Sequence, residues 1–219
     1  HGILFKTAAA LEEVGKGSIV VLDKTGTITS GRPRVTDKIA AEGFSSEDLL
    51  LLAAALEKKS EHPLAQAILA EVKGKNIPEV EEFQALPGHG LTAKLAGKQL
   101  LGGSLLYLET QLEVSSALRE KAQSLAAEGK TPLLFARDGR VAGIIAAADA
   151  IKEDSPAAIR ALQSMGLRVI MLTGDNKATA DAIAVQAGVD EVIAGVLPAG
   201  KEAVVRRLQQ EGPVVMVGD

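Results

Sequence analysis

The chain contains no cysteine, no tryptophan and a single tyrosine among its 219 residues. Without cysteine it has neither a disulfide framework nor a thiolate metal site, and the absence fits a reducing compartment. Aromatics make up 2% and the net charge is −4, with lysines and arginines scattered along the sequence. That excludes a basic, aromatic-studded surface for nucleic acid. No apolar run approaches the ~20 residues needed to span a bilayer. The start, His1-Gly2-Ile3-Leu4-Phe5, has no initiator methionine and no signal-peptide layout. The end, Val217-Gly218-Asp219, stops directly after a strand-like run, so both ends read as cut from a longer protein.

What is present is an ordinary globular composition, 47% hydrophobic and 24% charged, in a chain long enough for one large domain or two ordinary ones. The pattern changes character along it. Residues 167–219 alternate short apolar runs with helical stretches: strands at Val169–Leu172, Val192–Ala194 and Val214–Val217, and helices at about Lys177–Ala187 and Gly200–Gln210. A helix before them starts at Ser155-Pro156, read as an N-cap followed by proline. Such alternation indicates a parallel, doubly wound sheet. From about Thr36 to Ala147 the signals are those of an α+β unit. Helices are expected at Ser45–Leu56, with Ser45 and Asp48 as a capping box, at Pro63–Val72 and over 113–128. Strands are expected at Leu91–Leu95, Lys98–Leu101, Leu133–Arg137 and Arg140–Ala147, the last two joined by the hairpin signal Asp138-Gly139. The first parallel strand, residues 18–22, is thus far from its partners. The expected fold is a Rossmann-like α/β parallel-sheet domain (residues 1–33 and 148–219) with an inserted antiparallel α+β domain (34–147). The two crossings, at 32–35 and 147–149, would form a paired hinge.

The most informative residues are Asp23-Lys24-Thr25-Gly26-Thr27-Ile28-Thr29, which follow the apolar run Ile19–Leu22. A carboxylate at the carboxyl end of a buried strand is where open α/β sheets place their chemistry. The loop supplies a nucleophile (Asp23), a cation (Lys24), two hydroxyls and a glycine for close backbone approach, a set suited to accepting a phosphoryl group near a metal ion. Asp175 and Asp219 also follow apolar strands, so three carboxylates converge on one sheet edge, and hard oxygen ligands there suit Mg²⁺. Thr173 and Gly174 offer a hydroxyl and an N–H to a transferring phosphoryl group, and Lys201 can neutralise phosphate charge. Alone, each reads as a helix cap or a surface charge; together, on successive strand ends, they form a site. The second residue after Asp23 is Thr25, not a carboxylate, so this position offers no acid/base to activate water against a phosphoenzyme.

The heptapeptide Asp23–Thr29 resembles the phosphorylation signature of P-type ATPases, within the haloacid dehalogenase superfamily. Thr173-Gly174-Asp175-Asn176 resembles the family's second motif. Met216-Val217-Gly218-Asp219 resembles the first half of a third, and Asp149 its hinge aspartate. Ser60-Glu61-His62-Pro63-Leu64-Ala65 and Leu86-Pro87-Gly88-His89-Gly90 are similar to the nucleotide motifs of heavy-metal (type IB) pumps. Leu101-Gly102-Gly103-Ser104 departs from the usual Gly-Asn pair, and Ser104 lacks that amide's two-sided pairing. The resemblance implies that Asp23 accepts a phosphoryl group from ATP and that Asp23, Thr25 and Asp219 hold Mg²⁺. It also implies that Glu61, His62, Gly88 and Gly90 bind the nucleotide. It further implies a monomeric piece at the cytoplasmic face of a membrane, working with an actuator domain and transmembrane helices absent from this chain, with copper as the ion and zinc or cadmium as the alternative. The alternatives are a soluble phosphatase and a non-catalytic nucleotide-binding regulator. Gly129-Lys130-Thr131, the tail of a P-loop pattern, follows a helix and is read as its stop.

Overall fold

The computed structural model describes residues 7, 12, 14–60, 62–86 and 90–218. In chain order the elements are β1 (Ile19–Asp23), β2 (Arg34–Ala40), α1 (Ser46–Glu57), α2 (Pro63–Glu71), β3 (Glu81–Leu86), β4 (Gly90–Leu95), β5 (Lys98–Gly103), α3 (Leu105–Gln111), α4 (Ser116–Ala127), β6 (Thr131–Arg137) and β7 (Arg140–Ala148). They continue with α5 (Ser155–Ser164), β8 (Arg168–Leu172), α6 (Lys177–Ala187), β9 (Glu191–Ile193), α7 (Lys201–Leu208) and β10 (Val214–Val217). The chain divides into two compact units, residues 1–30 with 151–219, and residues 31–150.

The first unit is built on a parallel four-stranded sheet in the order β10-β1-β8-β9. The central strands β1 and β8 carry apolar runs, Ile19–Leu22 and Val169–Leu172, because both their faces are covered. On one side Val20, Leu22, Val169 and Met171 pack with Ile159 of α5 and Ala180 and Ile183 of α6. On the other Ile19, Val21, Ile170 and Leu172 meet Leu208 of α7. The register Asp23↔Leu172 and Leu22↔Val217 brings three strand ends to one edge. Helix α6 has the expected limits, with Asn176 capping its start and Gly188, at φ 80, closing it. Helix α7 starts one residue after the expected Gly200, which belongs to a separate tight turn at Pro198–Gly200, and it ends two residues early, at Leu208. Ser155 is not an N-cap. It is the first helical residue of α5, Asp154 holds the cap position without a side-chain bond, and the buried Ser155 hydroxyl instead donates to the Ile28 carbonyl at 2.9 Å.

The second unit is an antiparallel six-stranded sheet ordered β2-β7-β6-β5-β4-β3. Period-2 alternation divides its side chains between two layers of helices. Leu100, Phe135 and Ile145 pack with Leu49, Leu52, Leu56 and Ile68 of α1 and α2. Leu101, Leu134 and Ile144 pack with Tyr107, Leu108 and Leu125 of α3 and α4. Fully burying one such side chain contributes roughly 1.5–3 kcal/mol. The hairpin Asp138 (φ 56)-Gly139 (φ 74) has both central residues left-handed, the conformation a two-residue turn requires. The Ser45–Asp48 capping box forms in both directions.

Candidate active site

Asp23 is the last residue of β1, so the strand itself aims its carboxylate out of the sheet edge. The chain then turns through Lys24–Ile28, where Thr25 is extended (φ −74, ψ 127) and Gly26 is left-handed (φ 77, ψ −20). That φ favours glycine, and it lets the turn close over a short span. The Lys24 carbonyl is held twice by Thr29, through its N–H and its hydroxyl, both at 3.0 Å. Thr29 is fully buried.

Two ion pairs organise the edge. Asp23 Oδ2 takes Lys201 Nζ at 2.6 Å, while Oδ1 accepts the Lys24 N–H at 2.9 Å. The Lys24 ammonium turns instead to Asp175 Oδ2, at 2.8 Å, with side chains only 11% and 17% exposed. That buried oxygen has no hydrogen bond beside this ion pair among the described residues. The loop after β8 is tied to β9: Thr173 N–H donates to Ile193 O, Val196 N–H to Thr173 O, and Gly195 N–H to Asp175 O at 2.8 Å. Thr173 is buried and its hydroxyl accepts the Asp175 N–H at 3.2 Å, while Gly174 is exposed. A Cβ added to Gly218 would stand 3.3 Å from Asp23 Cβ, so the chain leaving β10 passes directly against the carboxylate-bearing residue. The structure therefore brings Asp23, Lys24, Thr25, Thr173, Gly174, Asp175 and Lys201 to one edge. Asp219 lies outside the described residues.

Of the residues expected to bind a nucleotide, Glu61 and Gly88 also lie outside the described residues. His62 is the exposed N-cap of α2. Its Nδ1 accepts the Leu64 N–H at 3.2 Å, which leaves Nε2 to carry the proton in the neutral ring. Gly90 opens β4 opposite Gly103. A Cβ there would lie 2.4 Å from the Gly102 carbonyl oxygen and 2.5 Å from the Tyr107 ring, so only glycine fits. Ser104, where the family's Gly-Asn pattern is broken, caps α3 by accepting the Tyr107 N–H at 3.2 Å.

The model for haloacid dehalogenase-like hydrolases matches residues 18–219. The chain belongs to that family. Across its whole length it is 47% identical to the copper-transporting ATPase 2 of Rhizobium meliloti (strain 1021), covering 27% of that protein. It is 48% identical to the copper-exporting P-type ATPase of Bacillus subtilis (strain 168), covering 28%. Among solved structures, a zinc-transporting PIB-type ATPase in an E2.Pi state is 41% identical, with a TM-score of 0.63 over 99% of this chain and 35% of that one. The chain thus spans little more than a quarter of the curated relatives' length. In this chain Asp23 ends β1, Met216 lies on its neighbour β10, and Thr173 follows its other neighbour β8.

One residue of consequence has no place in the sequence motifs. Glu57 ends α1 and is buried, 6% exposed. Burial pushes its carboxyl up to about 7, against a smaller opposing pull from a hydrogen bond with Ser60. The Ser60 hydroxyl also accepts the His62 N–H at 3.3 Å, so Glu57, Ser60 and His62 form one chain of polar contacts. The signal lay in Leu49–Leu56, eight apolar residues with no polar face. Such a helix is buried all round, and a glutamate ending it is drawn inside.

Proposed function

We propose that this chain is the ATP-handling portion of a metal-transporting P-type ATPase in which Asp23 accepts the γ-phosphoryl group. The observation that carries this is Asp23 at the sheet edge, between the Lys24 N–H and the Lys201 ammonium. Those two donors fix the direction in which the carboxylate points. One Asp23 oxygen attacks the γ-phosphorus, the bond to the β-phosphate oxygen breaks, and ADP leaves. Lys201 then has phosphoryl oxygens to bind in place of the carboxylate, and Lys24 holds its charge beside the reacting group through Asp175. Thr173 and Gly174 present a hydroxyl and an N–H to equatorial oxygens.

The donor set fits Mg²⁺: Asp23 offers a hard carboxylate at the sheet edge, Thr25 follows it in the turn, and Gly218 brings the chain leaving β10 against Asp23. Asp23, Thr25 and Asp219 would hold the ion, which when bound neutralises phosphate charge. Thr25 supplies no base, so the aspartyl-phosphate outlasts its formation and the chain alone turns over poorly. Glu61, His62, Gly88 and Gly90 are assigned to the nucleotide, with Glu57 added as a buried acceptor for its base. In the whole protein the actuator domain and transmembrane helices would couple this chemistry to ion movement across the membrane. Copper is the proposed ion, on the 42–48% identity to copper- and silver-exporting relatives.

The test is phosphoenzyme formation from γ-labelled ATP. Wild type should take up hydroxylamine-sensitive label in the presence of Mg²⁺, and Asp23→Asn should take up none. Full labelling or full ATP hydrolysis by Asp23→Asn would overturn the assignment.

A further inference from the structure

The turn that follows Asp23 is fastened from a distance. Ile28 O accepts two bonds from the segment that returns the chain to the first unit, from Lys152 N–H at 3.0 Å and from the buried Ser155 hydroxyl at 2.9 Å. Thr29 and Ile151 pair as an isolated antiparallel bridge. The remaining contact is of another kind. Lys152 Nζ donates to the Gly26 carbonyl at 2.5 Å, across 126 residues of sequence. It is the one charged donor among these bonds, and Gly26 is the left-handed pivot of the turn. A glycine there has other conformations within easy reach, and rotating its peptide would redirect the neighbouring Thr25 and, through Lys24 N–H, the bond to Asp23 Oδ1.

We propose that Lys152 is a positioning residue for phosphoryl transfer: its ammonium fixes the Gly26 peptide and with it the orientation of Asp23 and Thr25. A charge-assisted bond to a carbonyl is stronger than a neutral one, which lets an exposed side chain hold a glycine pivot in place. Three residues earlier Asp149 accepts the Gly31 and Arg32 N–H groups, at 3.1 and 3.2 Å. Residues 149–155 thus grip the outgoing chain on both sides of Ser30, and Lys152 is the point where that grip reaches the turn. The inference rests on the proposed role of Asp23.

The test compares Lys152→Met, which keeps the stem and loses the donor, with Lys152→Arg, which keeps a charged donor. Two readouts are needed, single-turnover phosphoenzyme formation with ATP affinity by calorimetry, and amide hydrogen exchange at Gly26 and Thr27. A misplacement of about 1 Å at a reacting group costs up to about a hundredfold in rate. Lys152→Met should label about tenfold more slowly with ATP affinity within about twofold of wild type, and Lys152→Arg should recover most of the rate. Exchange at Gly26 and Thr27 should accelerate in Lys152→Met and not in Lys152→Arg. Equal rates in wild type and Lys152→Met, or equal loss in both variants, would overturn the proposal. So would unchanged exchange in Lys152→Met, even if wild type itself took up no label, a result that would by itself overturn only the role of Asp23.

Discussion

Lys24 and Lys201 both stand beside Asp23, but their ammonium groups pair with different carboxylates, and this division was only half legible. The sequence placed Lys201 near phosphate; the structure pairs it with Asp23 itself and gives the Lys24 ammonium to Asp175. Side-chain pairing across 178 residues cannot be read from spacing. Glu57 is the clearer case, since a glutamate followed by two lysines looks like a solvated helix end. Its environment gives a pH prediction. A carboxyl whose folded-state pKa lies near 7, against an ordinary 4.5, binds its proton more tightly folded than unfolded. Its contribution is complete below pH 4.5 and is lost as pH rises through about 7. The carboxyls of Asp48, held low by Ser45, and of Asp37, held low by Thr36 and Lys130, titrate below this window. Urea unfolding of the 31–150 unit should therefore show a loss of about 3 kcal/mol between pH 5 and pH 8. Glu57→Gln should flatten it. An equal pH dependence in the variant would remove Glu57 as the cause.

At the scale of elements, helices with side-chain caps and strands with a clear periodic or apolar pattern were readable. Helix α6 and the hairpin β6–β7 are examples, each delimited by local chemistry: Asn176 and Gly188 for one, Asp138-Gly139 for the other. The elements missed were β2, β3 and α3. Strand β2 owes its place to distant β7, through pairs such as Val35↔Ala147. Strand β3 is an edge strand whose residues are mostly exposed, so no alternation marks it. Helix α3 has seven residues, too few for a helical period to show. Between β4 and β5 the backbone is held close by Gly90. A methyl at that position meets a carbonyl oxygen, which cannot move aside as a side-chain tip can. Gly90→Ala should destabilise the unit by about 1–3 kcal/mol through overpacking. Unchanged stability in urea would show that β4 shifts without cost.

At the scale of the molecule, the topology was legible because the break in pattern was abrupt, parallel-type runs on either side of an antiparallel insert. Each unit carries its own buried clusters, so each has the means to unfold on its own. The composition makes them separable by experiment. The chain has no tryptophan and one tyrosine, and that residue, Tyr107, is buried in the 31–150 unit against Gly90. Tyrosine fluorescence therefore reports that unit alone, while circular dichroism reports both. If the nucleotide is held through its base by the polar chain around Glu57 and His62, ATP in EDTA should stabilise the fluorescence-detected transition without Mg²⁺. At a hundredfold excess over its dissociation constant the gain should be about 2.7 kcal/mol. The remaining part of the dichroism transition, which belongs to the unit bearing Asp23, should stay in place. His62→Gln should reduce the gain at the same ATP concentration, because binding weakens while the nucleotide-free transition changes little. A fluorescence transition indifferent to ATP would remove the nucleotide from the inserted unit. A gain that appeared only with Mg²⁺ would move the dominant contacts from the base to the phosphates.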